Sequence, residues 1–233
     1  MTPAPVFVFA RMSSSRLPGK ALREIGGRPL LSRVIERCRA ARHVSKIVVA
    51  TSSRADDDPI AELAAREGTL LFRGALDDVA GRALAAACEI DCERFVRISG
   101  DSPFIDAETI DAMVEAPENV GADLATNTFP RSFPPGLSVE IVRTQSLARG
   151  LAEGMTPNDR EHVTPWFYRN AETLKIVNFT SPKIYPANVR LTVDTLEELI
   201  RANEIAAHLA GPYAAASGLE IARIAAELSA TMS

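Results

Sequence analysis

Val6-Phe7-Val8-Phe9-Ala10-Arg11-Met12-Ser13-Ser14-Ser15-Arg16-Leu17-Pro18-Gly19-Lys20 is the stretch on which the reading of this chain turns. Residues 6–10 form a short, wholly apolar run, as expected of a strand buried on both faces. The next ten residues are small, hydroxylated or cationic, and a Pro-Gly bend precedes Lys20. From Pro29 the period changes: Leu30, Leu31, Val34, Ile35 and Cys38 recur at helical spacing, predicting an amphipathic helix over residues 29–42. Strand, polar loop and helix in that order make the opening of an α/β unit.

The same alternation continues outward. Strands are predicted at residues 46–50, 70–72 and 95–99. Between and after them come helices at 59–67, with Asp58 as cap and Pro59 as first residue, at 77–89 and at 106–115. Strands alternating with helices at this spacing run parallel, so the fold class is α/β, a mostly parallel central sheet with helices on both faces. From about residue 127 the pattern breaks into a proline-rich loop, Phe129-Pro130-Arg131-Ser132-Phe133-Pro134-Pro135-Gly136. A strand at 137–142, a helix at 144–153, less regular elements at 160–169, 175–179 and 188–193, and helices at 195–209 and 219–228 complete the chain. We expect one domain over residues 1–233, with a small inserted arm over 127–187.

Composition narrows the function. The chain has 233 residues, 46% of them hydrophobic, enough for a buried core. Its 26 basic and 30 acidic residues give a net charge of −4, without the broad positive field of a duplex-binding protein. No basic stretch precedes a long apolar run at the start, and no 18-residue apolar window occurs. A cytoplasmic protein with neither a nucleic-acid nor a membrane partner is therefore expected. Cys38, Cys88 and Cys92 form no CxxC pair and are read as buried, reduced thiols on helix faces.

In open α/β sheets ligands bind beyond the carboxyl ends of the strands, which directs attention to the loops after Ala10 and Ser99. The first loop suits a polyphosphate. Small residues let backbone N–H groups approach phosphate oxygens, Ser13, Ser14 and Ser15 add hydroxyl donors, and Arg11, Arg16 and Lys20 supply charge. It is neither a Walker A loop nor a dinucleotide fingerprint, since both glycine spacings are absent. Beyond the second loop stands Asp101, and far down the chain Asp194 ends another apolar run. Transfer to a phosphate centre needs a divalent ion on the phosphates, and Mg²⁺ is held by one or two carboxylates together with phosphate oxygens. Each aspartate also has a helix- or turn-capping reading, as do Asp106 and the Asp77–Asp78 pair.

Arg11-Met12-Ser13-Ser14-Ser15-Arg16-Leu17-Pro18-Gly19-Lys20-Ala21-Leu22 resembles the signature of the cytidylyltransferase family that includes CMP-KDO and acylneuraminate synthetases. It is most similar to the branch named for spore coat polysaccharide biosynthesis protein F. That branch typically begins ARMGSSRLPGK, so Ser13 stands where glycine is usual. Further matches follow in order: Gly26-Gly27-Arg28-Pro29-Leu30-Leu31, Val48-Val49-Ala50-Thr51-Ser52, Phe72-Arg73-Gly74 and Asp77-Asp78-Val79. Gly100-Asp101-Ser102-Pro103-Phe104-Ile105-Asp106, Asp159-Arg160-Glu161-His162-Val163-Thr164-Pro165 and Thr192-Val193-Asp194-Thr195 complete the set.

The resemblance implies a nucleotide-diphospho-sugar transferase fold, Rossmann-like, and transfer of CMP from CTP to an acidic, KDO-like or nonulosonic sugar with release of pyrophosphate. It implies Mg²⁺ on Asp101 and Asp194, and catalytic roles for Arg16, Lys20 and Asp101. Nucleotide contacts are expected from Ala10, Arg11, Met12, Ser13, Ser14, Ser15, Arg16, Lys20, Arg73 and Ser99, although Ser99 replaces the glutamine usual in KDO-type synthetases. Sugar contacts are expected from Arg131, Glu140 and Arg160, and a homodimer is expected through the arm. His162 is read as orienting that arm, and Arg82 as a companion of Arg73. Two alternatives stay open: a sugar-1-phosphate nucleotidyltransferase using the same loop, and a non-catalytic nucleotide-binding homologue, which the Ser13 and Ser99 departures favour.

Overall fold

Successive side chains of a strand point to opposite faces of its sheet, and in β1 (Ala4–Phe9) both sets are apolar. The computed structural model describes residues 2–231, and β1 lies near the middle of a seven-stranded sheet. Val6 and Val8 enter one core, and Phe7 enters the other. A two-residue hairpin, β2 (Glu24–Ile25) with β3 (Arg28–Pro29), leads into α1 (Leu30–Arg39). Then come β4 (Val44–Ser52), α2 (Asp58–Arg66), β5 (Leu70–Gly74), α3 (Val79–Glu89), β6 (Arg94–Ser99) and α4 (Ala107–Glu115).

The remainder comprises β7 (Leu124–Thr126), β8 (Glu140–Arg143), α5 (Thr144–Ala152), α6 (Pro157–His162), α7 (Pro165–Arg169), β9 (Ile176–Asn178), α8 (Leu196–Ala207) and α9 (Gly218–Thr231). The sheet order is β5-β4-β1-β6-β8-β7-β9. Pairs β5/β4, β4/β1, β1/β6 and β7/β9 are parallel, and β8 runs antiparallel to both its neighbours. Residues 127–187, expected as an inserted arm, thus supply β8 and β9 to the central sheet. Side chains from α1, α2, α4, α8 and α9 pack in the core on the Val6–Val8 face, and those from α3, α5 and α7 pack on the Phe7 face.

Several local readings change. β7 has no counterpart in the sequence reading, because three residues carry too little periodicity to register. The strand expected at 137–142 begins at Glu140. Residues 188–193 form no strand, although Val189, Leu191 and Val193 are buried. The segment is extended but fixed by single bonds, Leu191 N to Pro135 O at 2.8 Å and Val193 N to Asp101 O at 2.9 Å. The residue ahead of α2 is Asp57, not Asp58, and its carboxylate is used elsewhere. Cys38 is buried as expected, but Cys88 is exposed and Cys92 lies past the end of α3, so neither is a buried helix-face thiol. Among the described residues no helix is long and apolar enough to cross a membrane.

Candidate active site

Because β1 is flanked by β4 on one side and β6 on the other, the connections after β1 and β6 diverge and leave a crevice at their carboxyl ends. A cleft of about 340 Å³ opens there. Its position follows from one close approach. Gly100 N donates to Phe9 O at 2.8 Å, and a Cβ on Gly100 would meet that oxygen at 2.5 Å. Only glycine lets the end of β6 close onto β1 and set Asp101 beside the first loop.

That loop is tied down by its own backbone. Ser14 N and Gly19 N both donate to Met12 O, at 2.9 and 3.0 Å, so the chain curls around one carbonyl. Gly19 takes a left-handed conformation, φ 69°, that turns the chain into Lys20. Asp57 anchors the loop from below: Oδ1 accepts from Met12 N at 2.7 Å, and Oδ2 accepts from the backbone N and hydroxyl of Ser52. The run Asp56-Asp57-Asp58 just past β4 was the available signal for this anchor.

Lys20 is the hub. Its ammonium donates to Asp101 Oδ2 at 3.1 Å, to Asp194 Oδ1 at 2.7 Å and to Val193 O at 3.1 Å. Arg16 reaches the other oxygen of Asp194 at 3.0 Å. Three groups separated by 81 and 174 positions thereby meet at one point. Burial raises the pKa of the Asp194 carboxyl, but the hydrogen bond from Lys20 and the charges of Lys20 and Arg16 outweigh it, leaving it below the ordinary value.

The capping reading of Asp194 is displaced by its neighbour. Thr195 caps α8, its hydroxyl accepting from Glu198 N while Glu198 Oε2 accepts from Thr195 N and Asp194 N. The Asp194 carboxylate is thus left to face the cleft. Asp106 stands at the N-cap position of α4, but its carboxylate makes no capping bond to that helix's backbone; it accepts from the Thr109 hydroxyl and from Gly218 N, the first residue of α9.

Two carboxylates sharing one ammonium are close enough to share one metal cation. No group of three or more His, Cys, Asp or Glu with metal-holding geometry occurs among the described residues. Such a donor set does not make an all-protein cage. It fits Mg²⁺, which keeps waters and takes phosphate oxygens alongside one or two carboxylates.

The expected site residues separate into two groups. Ala10, Arg11, Ser14, Ser15, Arg16, Lys20, Ser99, Asp101 and Asp194 line the cleft. Met12, Ser13, Arg73, Arg131, Glu140 and Arg160 are not part of its lining. Met12 contributes its backbone, and the Ser13 side chain is exposed. Arg73 braces the β4–α2 connection through Ser52 O, Arg54 O and Asp58. Arg131 lies in a separate groove, bonded to Ser138 Oγ at 3.0 Å. Arg160 pairs with Asp78, the cap of α3, at 2.7 Å.

Glu140 is buried behind the wall. It accepts from Arg97 Nη1 at 2.6 Å and from the Tyr168 hydroxyl, and Arg97 lines the cleft. Burial, then the Glu140 charge, pushes the Tyr168 phenol up, so it remains a donor.

Among the ionisable residues, Arg82, which the sequence reading set beside Arg73, and Arg97, Glu161 and His162, which it placed elsewhere or omitted, also line the cleft. Arg11 reaches Glu161 at 3.0 Å, joining the first loop to α6. Val163, fully buried with φ 70° and ψ −54°, sits at the centre of a γ-turn closed by Thr164 N to His162 O at 2.8 Å. That conformation is strained for a β-branched residue. It ends α6 abruptly and leaves Glu161 and His162 at the lip.

Comparison with known proteins follows the same lines. The sequence matches the cytidylyltransferase family over residues 6–209. The spore coat polysaccharide biosynthesis protein SpsF of Bacillus subtilis is 30% identical over 197 residues, 82% of this chain and 81% of that protein. A 3-deoxy-manno-octulosonate cytidylyltransferase of Anaeromyxobacter dehalogenans is 35% identical over 149 residues, 62% of this chain and 59% of that protein. Among solved structures, a cytidylyltransferase from Leptospira borgpetersenii superposes with a TM-score of 0.90 at 27% identity, covering 99% of this chain and 96% of that one. The chain belongs to the cytidylyltransferase family.

Proposed function

We propose that the protein transfers CMP from CTP to a hydroxyl of an acidic sugar, KDO-like or nonulosonic, releasing pyrophosphate. The observation that carries this reading is the meeting of Lys20, Arg16, Asp101 and Asp194 in one cleft. A nucleotidyl transfer needs concentrated positive charge around a polyphosphate, plus carboxylates for a divalent ion. Mg²⁺ bound there supplies Lewis-acid charge to the phosphate oxygens.

In the reading we favour, Lys20 and Arg16 exchange their carboxylate partners for phosphate oxygens when nucleotide enters. Asp101 and Asp194 are then free to hold the ion. The loop after β1 offers the hydroxyls of Ser14 and Ser15 and the side chain of Arg11 to the same phosphates. The sugar hydroxyl attacks the α-phosphorus, its proton is released, and the bond to the β-phosphate oxygen breaks. Glu140 serves the sugar side indirectly by aiming Arg97 into the cleft, and Arg160 by holding α6 against Asp78. The name of the Bacillus subtilis relative, a spore coat polysaccharide biosynthesis protein, extends the proposal to surface polysaccharide biosynthesis, and we place the enzyme in the cytoplasm as a homodimer.

Pyrophosphate release tests this directly. Each of the four ribonucleoside triphosphates is offered with a panel of acid sugars and sugar 1-phosphates, with and without Mg²⁺. Metal-dependent release with CTP and an acid sugar is expected. Release only with phosphorylated acceptors refutes the acceptor class, and release with none refutes the activity.

A further inference from the structure

Arg82 is a cation with too little counter-charge. It stands in the first turns of α3, is only 4% exposed, and lines the wall of the cleft. Its Nη1 donates to Ala75 O at 2.8 Å, its Nε is buried with no partner, and it makes no ion pair with any described carboxylate. The two carboxylates that influence it, Asp57 and Asp78, are already committed. Asp57 holds Met12 N and Ser52, while Asp78 caps α3 and pairs with Arg160. Burial, with Arg11 adding like charge, lowers its pKa to about 10, so it stays charged at neutral pH.

Arg37 shows what a purely structural buried arginine looks like here. It is fully buried and its Nη2 also lacks a hydrogen-bond partner, yet that nitrogen has the Asp106 carboxylate at 3.7 Å and the rest of the guanidinium donates to the carbonyls of Ile105, Tyr213, Ala214 and Ala216. Arg82 has one carbonyl. The chain also keeps room for it, since a Cβ on Gly74 would meet the Arg82 Cγ at 3.1 Å.

An isolated buried charge is costly unless an opposite charge meets it. We infer that Arg82 is a substrate-binding residue whose missing partner is an oxyanion, specifically a phosphate of the incoming nucleotide. The choice of phosphate over the sugar carboxylate rests on its surroundings. The charge beside it is Arg11 of the phosphate loop, and Asp57, which also influences it, anchors that loop. This assignment builds on the nucleotidyltransferase reading and adds a contact from α3, an element to which the Lys20 cluster contributes no residue.

Two measurements test it on the full-length protein: calorimetric affinity for CTP and for inorganic pyrophosphate, and thermal midpoint without ligand. Arg82→Met keeps the apolar stem and removes the charge. It is expected to weaken CTP and pyrophosphate about 10- to 100-fold, the range for losing a hydrogen bond to a charged group, while the ligand-free midpoint stays level or rises. Arg82→Lys restores part of the affinity. Gly74→Ala, which keeps the charge but crowds its stem, weakens both ligands less than Arg82→Met does. CTP and pyrophosphate affinities within threefold of wild type in Arg82→Met overturn the assignment. So does a change confined to the acid-sugar KM. If the wild-type protein itself binds no nucleotide, the proposed function fails first, and that result is separable from a failure of Arg82 alone.

Discussion

Lys20→Met deletes one ammonium and keeps its stem, and the consequences can be worked from the contacts. The side chain is 15% exposed, and its nitrogen holds Asp101 at 3.1 Å, Asp194 at 2.7 Å and Val193 O at 3.1 Å. In the ligand-free protein the lysine occupies the ground a divalent ion needs, so a metal arriving alone must displace it. Hydrogen bonds to charged groups contribute about 1.5–3 kcal/mol each. With Arg16 still on Asp194, roughly one such bond is the net obstacle. At 1.4 kcal/mol per factor of ten, removing it tightens nucleotide-free Mn²⁺ binding about 10- to 100-fold. Turnover moves the other way, because loss of one charge-stabilising donor costs about 10²- to 10³-fold. Electron paramagnetic resonance titration of Mn²⁺ without nucleotide reads the first effect, and pyrophosphate release reads the second. Tighter metal and slower chemistry in the same variant is the signature. Equal or weaker Mn²⁺ binding in Lys20→Met would refute the view that Lys20 and the metal compete for Asp101 and Asp194.

Other outcomes follow from neighbouring contacts. Asp101→Ala abolishes turnover while circular dichroism stays native, since its carboxylate bonds only Lys20 of the cleft and the hydroxyl of the adjacent Ser102. Glu140→Gln removes the charge and leaves one amide oxygen where two carboxylate oxygens serve Arg97 and Tyr168, and it lowers unfolding stability by about 2–3 kcal/mol, read by urea titration. Asp159 is fully buried and its acidity is strengthened by Arg169 first, then by Thr156 against the cost of burial; Asp159→Asn loosens α6 and costs about 1–2 kcal/mol, with faster hydrogen exchange at Glu161 and His162. Both Asp159 and Asp194 have folded pKa values below their unfolded ones. Their stabilisation is therefore complete above about pH 4 and lost as pH falls through the folded values. A pH-dependent thermal scan that stays flat below pH 4 contradicts this.

Local order was legible in the chain because strands and helices write their periods into nearby residues. The buried run before the Ser-rich loop, the helix after Pro29 and the strand ending at Ser99 all needed only a few neighbours to declare themselves. The phosphate-suited loop was legible for the same reason, as were Asp101 and Asp194 as candidates. Even the rival reading of Asp194 was answerable locally, since Thr195 with Glu198 three positions on spells a capping box. β7 and the antiparallel course of β8 were not, because a three-residue strand and a strand's direction leave no periodic trace.

What the sequence settled alone is the alternating α/β architecture and the existence of a cationic loop at a strand end, both consequences of short-range sterics and hydrophobic spacing. What only the tertiary structure decided is which distant groups share a space. Register along β6 and β8 sets Arg97 opposite Glu140, so the Glu140 carboxylate holds a residue of the cleft wall. A single bond from Val193 N to Asp101 O brings Asp194 within reach of Lys20 across 174 positions. And Arg82 becomes conspicuous only once its would-be partners are seen to be engaged. Such convergences depend on how the whole sheet closes, and no local pattern of residues encodes them.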